Sequence, residues 1–237
     1  MIERPSPNHD SRAGRAVDLL LIHYTGMADA AAALARLCDP AAAVSAHYLI
    51  DEDGASYRLV DEGLRAWHAG VASWAGATDI NHRSVGIELV NPGHEFGYRP
   101  FPEGQMAALI DLGRDIVRRH GIPAGRVLGH ADVAPTRRRD PGELFDWPAL
   151  ARAGLGLWPA PAEPQPSLGP GAAVREVQAA LAEIGYGIDV TGDRDDLTRA
   201  VVTAFQRHFR PGRVDGRADG ETRGRIAAVR AAVRGST

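Results

Sequence analysis

Apolar positions along the chain change period several times, and those changes predict its elements. "AVDLLLIHY", from Ala16, is a continuous apolar run, the pattern of a strand covered on both faces. "SAHYLIDEDG" followed by "ASYRLVDEG" predicts two strands joined at Asp53-Gly54, a strong hairpin signal. "SVGIELVN" and "GRVLGH" are two further short strands. Between them, "PEGQMAALIDLGRDIVRRHG" has a helical period: Met106, Leu109, Ile110, Gly113 and Val117 share a face, Glu103 opens it and Gly121 stops it. "ADAAAALARLCDP" predicts a second, alanine-rich helix, with Cys38 as a small buried apolar residue. Strands interleaved with helices imply an α/β fold, its central sheet mixed because it contains a hairpin, with helices flanking it.

Past Trp158 the pattern breaks. "WPAPAEPQPSLGPG" is too rich in proline and glycine for helix or strand and reads as a linker over 159–171. It separates a domain over 1–158 from a smaller one over 172–237. There, "AVREVQAALAEIGYG", "DDLTRAVVTAFQRHFRP" and "DGETRGRIAAVRAAVRG" predict three amphipathic helices, a C-terminal domain just large enough for a core of its own.

Composition narrows the class. With 44% hydrophobic and 24% charged residues, the 237-residue chain is an ordinary globular protein. A formal net charge of −3 gives no basis for a nucleic-acid partner. No apolar run approaches the roughly 18 residues of a membrane span. The start, "MIERPSPNHDSRAGR", has neither an apolar signal core nor a lipid-attachment cysteine. The expected compartment is therefore the cytoplasm, with the periplasm or cell envelope as the alternative. A single cysteine excludes an internal disulfide framework.

Candidate chemistry lies among the nine histidines. His9, His94, His120 and His208 stand in polar turns or helices and read as bystanders. His23 and His130 each close a short apolar strand, and strand ends in an open α/β sheet converge on a crevice. Asp140 follows in a loop bounded by Pro135 and Pro141. Two histidines and an aspartate, with a fourth position open, suit a catalytic zinc; hydrogen-bonded strand caps would give the same pattern. A zinc hydrolase also needs a general base. Glu88 alternates against Ile87 and Leu89, so it points the opposite way, either into a site or to solvent. Arg137–Arg139 form a solvated loop or, beside a metal ligand, an oxyanion stabiliser. In "AWHAG", Trp67 and His68 stand on a glycine-flanked loop suited to sugar or peptide contact, or to plain aromatic packing.

Taken together, "LLIHYT", "SAHYLID", "AWHAG", "SVGIELVN" and "GHADVAPTRRRDPGELFDW" resemble the type-2 N-acetylmuramoyl-L-alanine amidases of the AmpD/AmiD group, from about residue 5 to residue 158. "AFQRHFRP" and "VDGRADGET" resemble the three-helix peptidoglycan-binding domain of AmiD-like members. The resemblance implies one Zn2+ per chain on His23, His130 and Asp140, with Glu88 as the catalytic glutamate. Arg138 falls where these amidases usually carry a lysine. It keeps the charge but cannot release its proton, which suits oxyanion stabilisation and not proton shuttling. His47 and His68 are implied as outer or substrate contacts, with Trp67, Tyr24 and Ala131 in the same motifs. The implied reaction is hydrolysis of the amide between the lactyl group of N-acetylmuramic acid, or its 1,6-anhydro form, and L-alanine of the stem peptide. Peptidoglycan or its anhydro-muropeptide fragments would be the partners. A catalytically inactive binding protein on the same fold is the alternative; such a protein would usually have lost a ligand or the glutamate, and all four are present. A zinc-free adaptor is the other, and metal analysis separates it.

Overall fold

Six strands form one mixed sheet in the computed structural model, which describes residues 1–160, 163–164 and 170–235. In spatial order they are β1 (Ile2–Glu3), β5 (Ser56–Arg58), β4 (Tyr48–Ile50), β7 (Ser84–Leu89), β3 (Leu19–Tyr24) and β8 (Val127–Gly129). β4 and β5 are the antiparallel hairpin that Asp53-Gly54 predicts; every other pairing in the sheet is parallel. A separate ribbon pairs β2 (His9–Ser11) with β6 (Leu64–Ala66).

Leu19–Ile22 of β3 form an unbroken apolar run because both faces of the strand are covered. Leu20 and Ile22 pack with Met106, Leu109 and Ile116 of α4 (Glu103–His120). Leu19 and Leu21 enter the core on the other face. The buried stripe of α4 is Met106, Leu109, Gly113 and Ile116. Ile110 and Val117, expected on that face, lie half-buried at its margin, because the observed steps of three and four residues pass through Ile116. Asp29 caps α1 (Ala30–Leu37) by accepting the Ala32 N–H. Cys38 is the C-cap of that helix and half-buried at the margin of the cluster of Leu34, Leu37 and Leu49, not the fully buried residue expected. The short helices α2 (Ile80–Arg83), α3 (Gly93–Phe96), α5 (His130–Val133) and α6 (Trp147–Arg152) complete this part.

The C-terminal helices are α7 (Pro170–Ile184), α8 (Asp196–Phe209) and α9 (Gly220–Gly235). Their core is not their own. Val177, Leu181, Val201 and Phe205 share one cluster with Leu19, Leu21, Leu128 and Val133. A domain of three helices buries little apolar surface alone, and the sheet supplies a further wall. Trp74 meets Tyr186 edge-on at 4.9 Å. A Cβ on Gly185, where φ is +131°, would come within 2.5 Å of the Trp74 ring. Of the expected linker over 159–171, residues 161–162 and 165–169 lie outside the described residues. No described helix is long and apolar enough to cross a membrane.

Candidate active site

β7, β3 and β8 are parallel neighbours, so their C-terminal ends lie at one edge of the sheet. Glu88 is the register partner of His23, and parallel pairing points both side chains to the same face. His130 follows β8 as the first residue of α5, one step beyond the strand it was expected to close. The turn after α5 brings back Asp140, whose C=O accepts the Ala131 N–H at 2.9 Å.

His23 Nδ1, His130 Nδ1 and Asp140 Oδ2 form a buried triangle with sides of 2.9, 3.1 and 3.0 Å. Their outer hydrogen bonds fix the protons. The Ser84 hydroxyl donates to the Ile80 C=O at 2.7 Å, so it accepts from His68 Nε2 at 3.2 Å. His68 Nδ1 is then an acceptor, and His23 Nε2–H donates to it at 3.0 Å. His130 Nε2–H donates to the Ala69 C=O at 3.0 Å. A neutral imidazole has one proton, and both ligand histidines direct it outward, leaving Nδ1 bare.

Charge favours this state. Burial, then the neighbouring His130, pushes the His23 imidazole down to about 4, with Asp140 opposing. Burial pushes His68 well below its ordinary value, with His23 adding to it. Burial alone would raise the Asp140 carboxyl, but hydrogen bonds and positive charge from His130 and His23, present whenever those rings take a second proton, hold it well below the carboxylate range, so Asp140 stays a carboxylate. Three lone pairs facing one another at about 3 Å repel unless a cation lies among them. Two nitrogens, each oriented from behind, and one carboxylate oxygen fit a zinc ion.

Glu88 sits beside this triangle. Its Oε2 is buried without a hydrogen-bond partner among the described residues. Burial, reinforced by the Asp140 charge and opposed by Arg138, raises its carboxyl well above the ordinary value. A cleft of about 880 Å³ opens over Glu88, His130 and Asp140; Tyr24, Trp67, His68 and Arg138 also line it. Arg138 is exposed, while Arg137 beside it donates to the Ala69 and Val71 carbonyls.

His47 and Ala131 do not line the cleft. His47 is fully buried behind the site, its Nδ1 accepting the Gly86 N–H at 3.0 Å. Its ring stands 5.6 Å from that of His68, and Arg12 Nη2 lies 2.8 Å from its Nε2. Ala131 faces the core, and only its backbone N–H reaches Asp140.

Two histidines read as bystanders are not idle. His94 Nδ1 lies 2.9 Å from the Tyr24 hydroxyl, its Nε2 lies 3.2 Å from Glu143, and its ring stacks on Tyr98 at 4.2 Å. The available signal was its place just past the end of β7, in a Pro-Gly turn. His208 is buried, stacked on Trp147 at 3.7 Å, with Nδ1 2.8 Å from Asp132. Nothing local in α8 marks that role.

Comparison with known proteins adds to this geometry. Residues 13–143 match the profile of the N-acetylmuramoyl-L-alanine amidase family (Amidase_2), and residues 170–226 match that of a peptidoglycan binding domain. The chain is 41% identical over 216 residues to the N-acetylmuramoyl-L-alanine amidase AmiD of Escherichia coli, across 84% of this chain and 77% of that protein. The solved complex of AmiD with anhydro-N-acetylmuramic acid-L-Ala-D-gamma-Glu-L-Lys superposes with a TM-score of 0.80 at 37% identity, covering 99% of this chain and 94% of that one. AmpDh3 of Pseudomonas aeruginosa, in complex with anhydromuramic pentapeptide, gives 0.79 at 30% identity, covering 97% and 96%.

Proposed function

The chain belongs to the N-acetylmuramoyl-L-alanine amidase family, and from that premise we propose that it cleaves the muramoyl–L-alanine amide of anhydro-muropeptides or peptidoglycan, using one zinc ion. The observation that carries this reading is the triangle of bare donors on His23, His130 and Asp140 beside Glu88, whose buried Oε2 has no hydrogen-bond partner among the described residues.

When bound, zinc supplies Lewis acidity, polarising a carbonyl and lowering the pKa of water to about 7. Glu88 takes the proton of the attacking water; its raised carboxyl makes it the stronger base. Arg138 sets a permanent positive charge at the cleft wall, where the oxyanion develops. Glu88 then returns its proton to the leaving amine of L-alanine. His68 and the Ala69 carbonyl hold the two ligand imidazoles in the tautomer this requires. Tyr24 and Trp67 offer a hydroxyl and an aromatic face to the sugar and peptide.

The test is to incubate purified protein with anhydro-muropeptides and with intact sacculi, with and without chelator, and to identify products by mass spectrometry. Chelator-sensitive release of the stem peptide is expected. Glu88→Ala should retain zinc and lose roughly 10²–10⁴-fold in rate, whereas His23→Ala should lose both metal and activity. Release of no stem peptide from either substrate would sink the reading.

A further inference from the structure

Helix α8 turns a polar stripe into the active-site cleft. Asp196, Arg199, Thr203 and Arg207 recur at steps of three and four residues and line it, while Val201, Val202, Ala204 and Phe205 on the other side of the helix enter the shared core. Arg139, from the turn that carries Asp140, lines the same cleft.

These guanidinium groups have few partners. The ion pair of Arg207 runs from Nε to Glu143 Oε2 at 3.4 Å, a carboxylate that His94 also engages at 3.2 Å. Among the described residues, Arg139 and Arg199 make no side-chain hydrogen bond or ion pair. Burial holds the Arg207 guanidinium below its usual range, and although Glu143 opposes this, the like charge of Arg139 adds to it. In a chain of net charge −3, this is a local excess of cations, not a reflection of composition.

We infer that Arg139 and Arg207 form a subsite for a carboxylate of the substrate's peptide, extended along α8 by Arg199. This rests on the amidase reading. The ligand of the AmiD complex shows the chemistry available: a γ-linked D-Glu keeps its α-carboxylate free, and the terminal Lys carries a second carboxylate. A planar guanidinium fork matches either in two-point geometry, and partial burial strengthens the pairing. The C-terminal domain thereby contributes to substrate choice at the active site itself.

Three substrates test this on the zinc-loaded full chain: muramoyl-L-Ala-D-γ-Glu-L-Lys, its glutamyl α-carboxamide and its C-terminal carboxamide. For the wild type, kcat/KM should fall roughly tenfold for one carboxamide, through KM. Which carboxamide responds identifies the carboxylate bound. Arg139→Ala and Arg207→Gln should each weaken cleavage of the free acid by a similar factor and abolish the discrimination. Arg139 lies in an exposed turn, so its variant keeps the test open if Arg207→Gln misfolds. Equal cleavage of all three substrates by the wild type, or discrimination retained in Arg139→Ala, would overturn the inference while leaving the amidase reading intact. Cleavage of none by the wild type sinks both.

Discussion

Gly86 lies in the middle of β7, where a side chain would ordinarily pack, and the His68 ring fills that space instead. An added Cβ would stand 2.6 Å from the ring. His68 in turn accepts the outer proton of His23, so one missing methyl group sets the tautomer of a proposed zinc ligand. Gly86→Ala should displace His68 and lower zinc affinity by about 10–100-fold. Competition with a fluorescent chelator measures this, and circular dichroism checks that the fold survives. Unchanged affinity in a folded variant would mean that His68 does not orient His23. At this scale pattern reading marked Glu88 and His68 as candidates, because alternation and a glycine-flanked loop are local signals, but it left each open between a site role and a plain structural one. It missed His94, whose partners Tyr24 and Glu143 are distant in sequence.

Helix α5 carries His130 but has only four residues, far too few to be stable by itself. Asp132 ties it down. This carboxylate is 2% exposed; Oδ2 accepts the Gly129 N–H at 2.8 Å and lies 2.8 Å from His208 Nδ1, while Oδ1 accepts the Tyr186 hydroxyl at 2.6 Å. Asp132 therefore caps its own helix and anchors the C-terminal helices to it. Asp132→Ala would leave three buried groups without their acceptor, which should cost about 3 kcal/mol or more of stability, read from urea unfolding. A loss under 1 kcal/mol would show that the contact is incidental. The sequence "GHADV" marks a strand end; the link from Asp132 to α8 exists only after the chain folds back.

Across the whole molecule, burial of neutral histidines couples stability to pH. Burial, with the Arg12 charge beside it, pushes His47 down to about 3. The unfolded chain regains an ordinary imidazole near 6.5. Between those values the unfolded state binds the extra proton, so stability falls as pH drops below about 6.5 and continues falling towards 3. From pH 7 to pH 5, His47 alone accounts for a loss of about 2 kcal/mol. His47→Gln, less stable at pH 7 because it loses the site's packing, should fall by that much less over the same interval in urea titrations. Parallel pH slopes for variant and wild type would assign the effect to other groups.

Local pattern determined five of the strands (β3, β4, β5, β7 and β8), the Asp53-Gly54 hairpin, the long helix α4 and hence the mixed sheet with flanking helices; β1, β2 and β6, of two or three residues each, show no period of their own. Periodicity reports which positions are buried, and that is enough to define elements and fold class. It also placed His23 and His130 at strand ends. Periodicity does not report what a buried face packs against. The sharing of one core between sheet and C-terminal helices, the outward protons on His23 and His130, and the arginine stripe of α8 over the cleft were decided by tertiary structure. Each depends on groups far apart in sequence, such as Ser84 with His68, Ala69 with His130, and Arg207 with Glu143. Such pairs meet only when parallel register and helix docking bring their elements together.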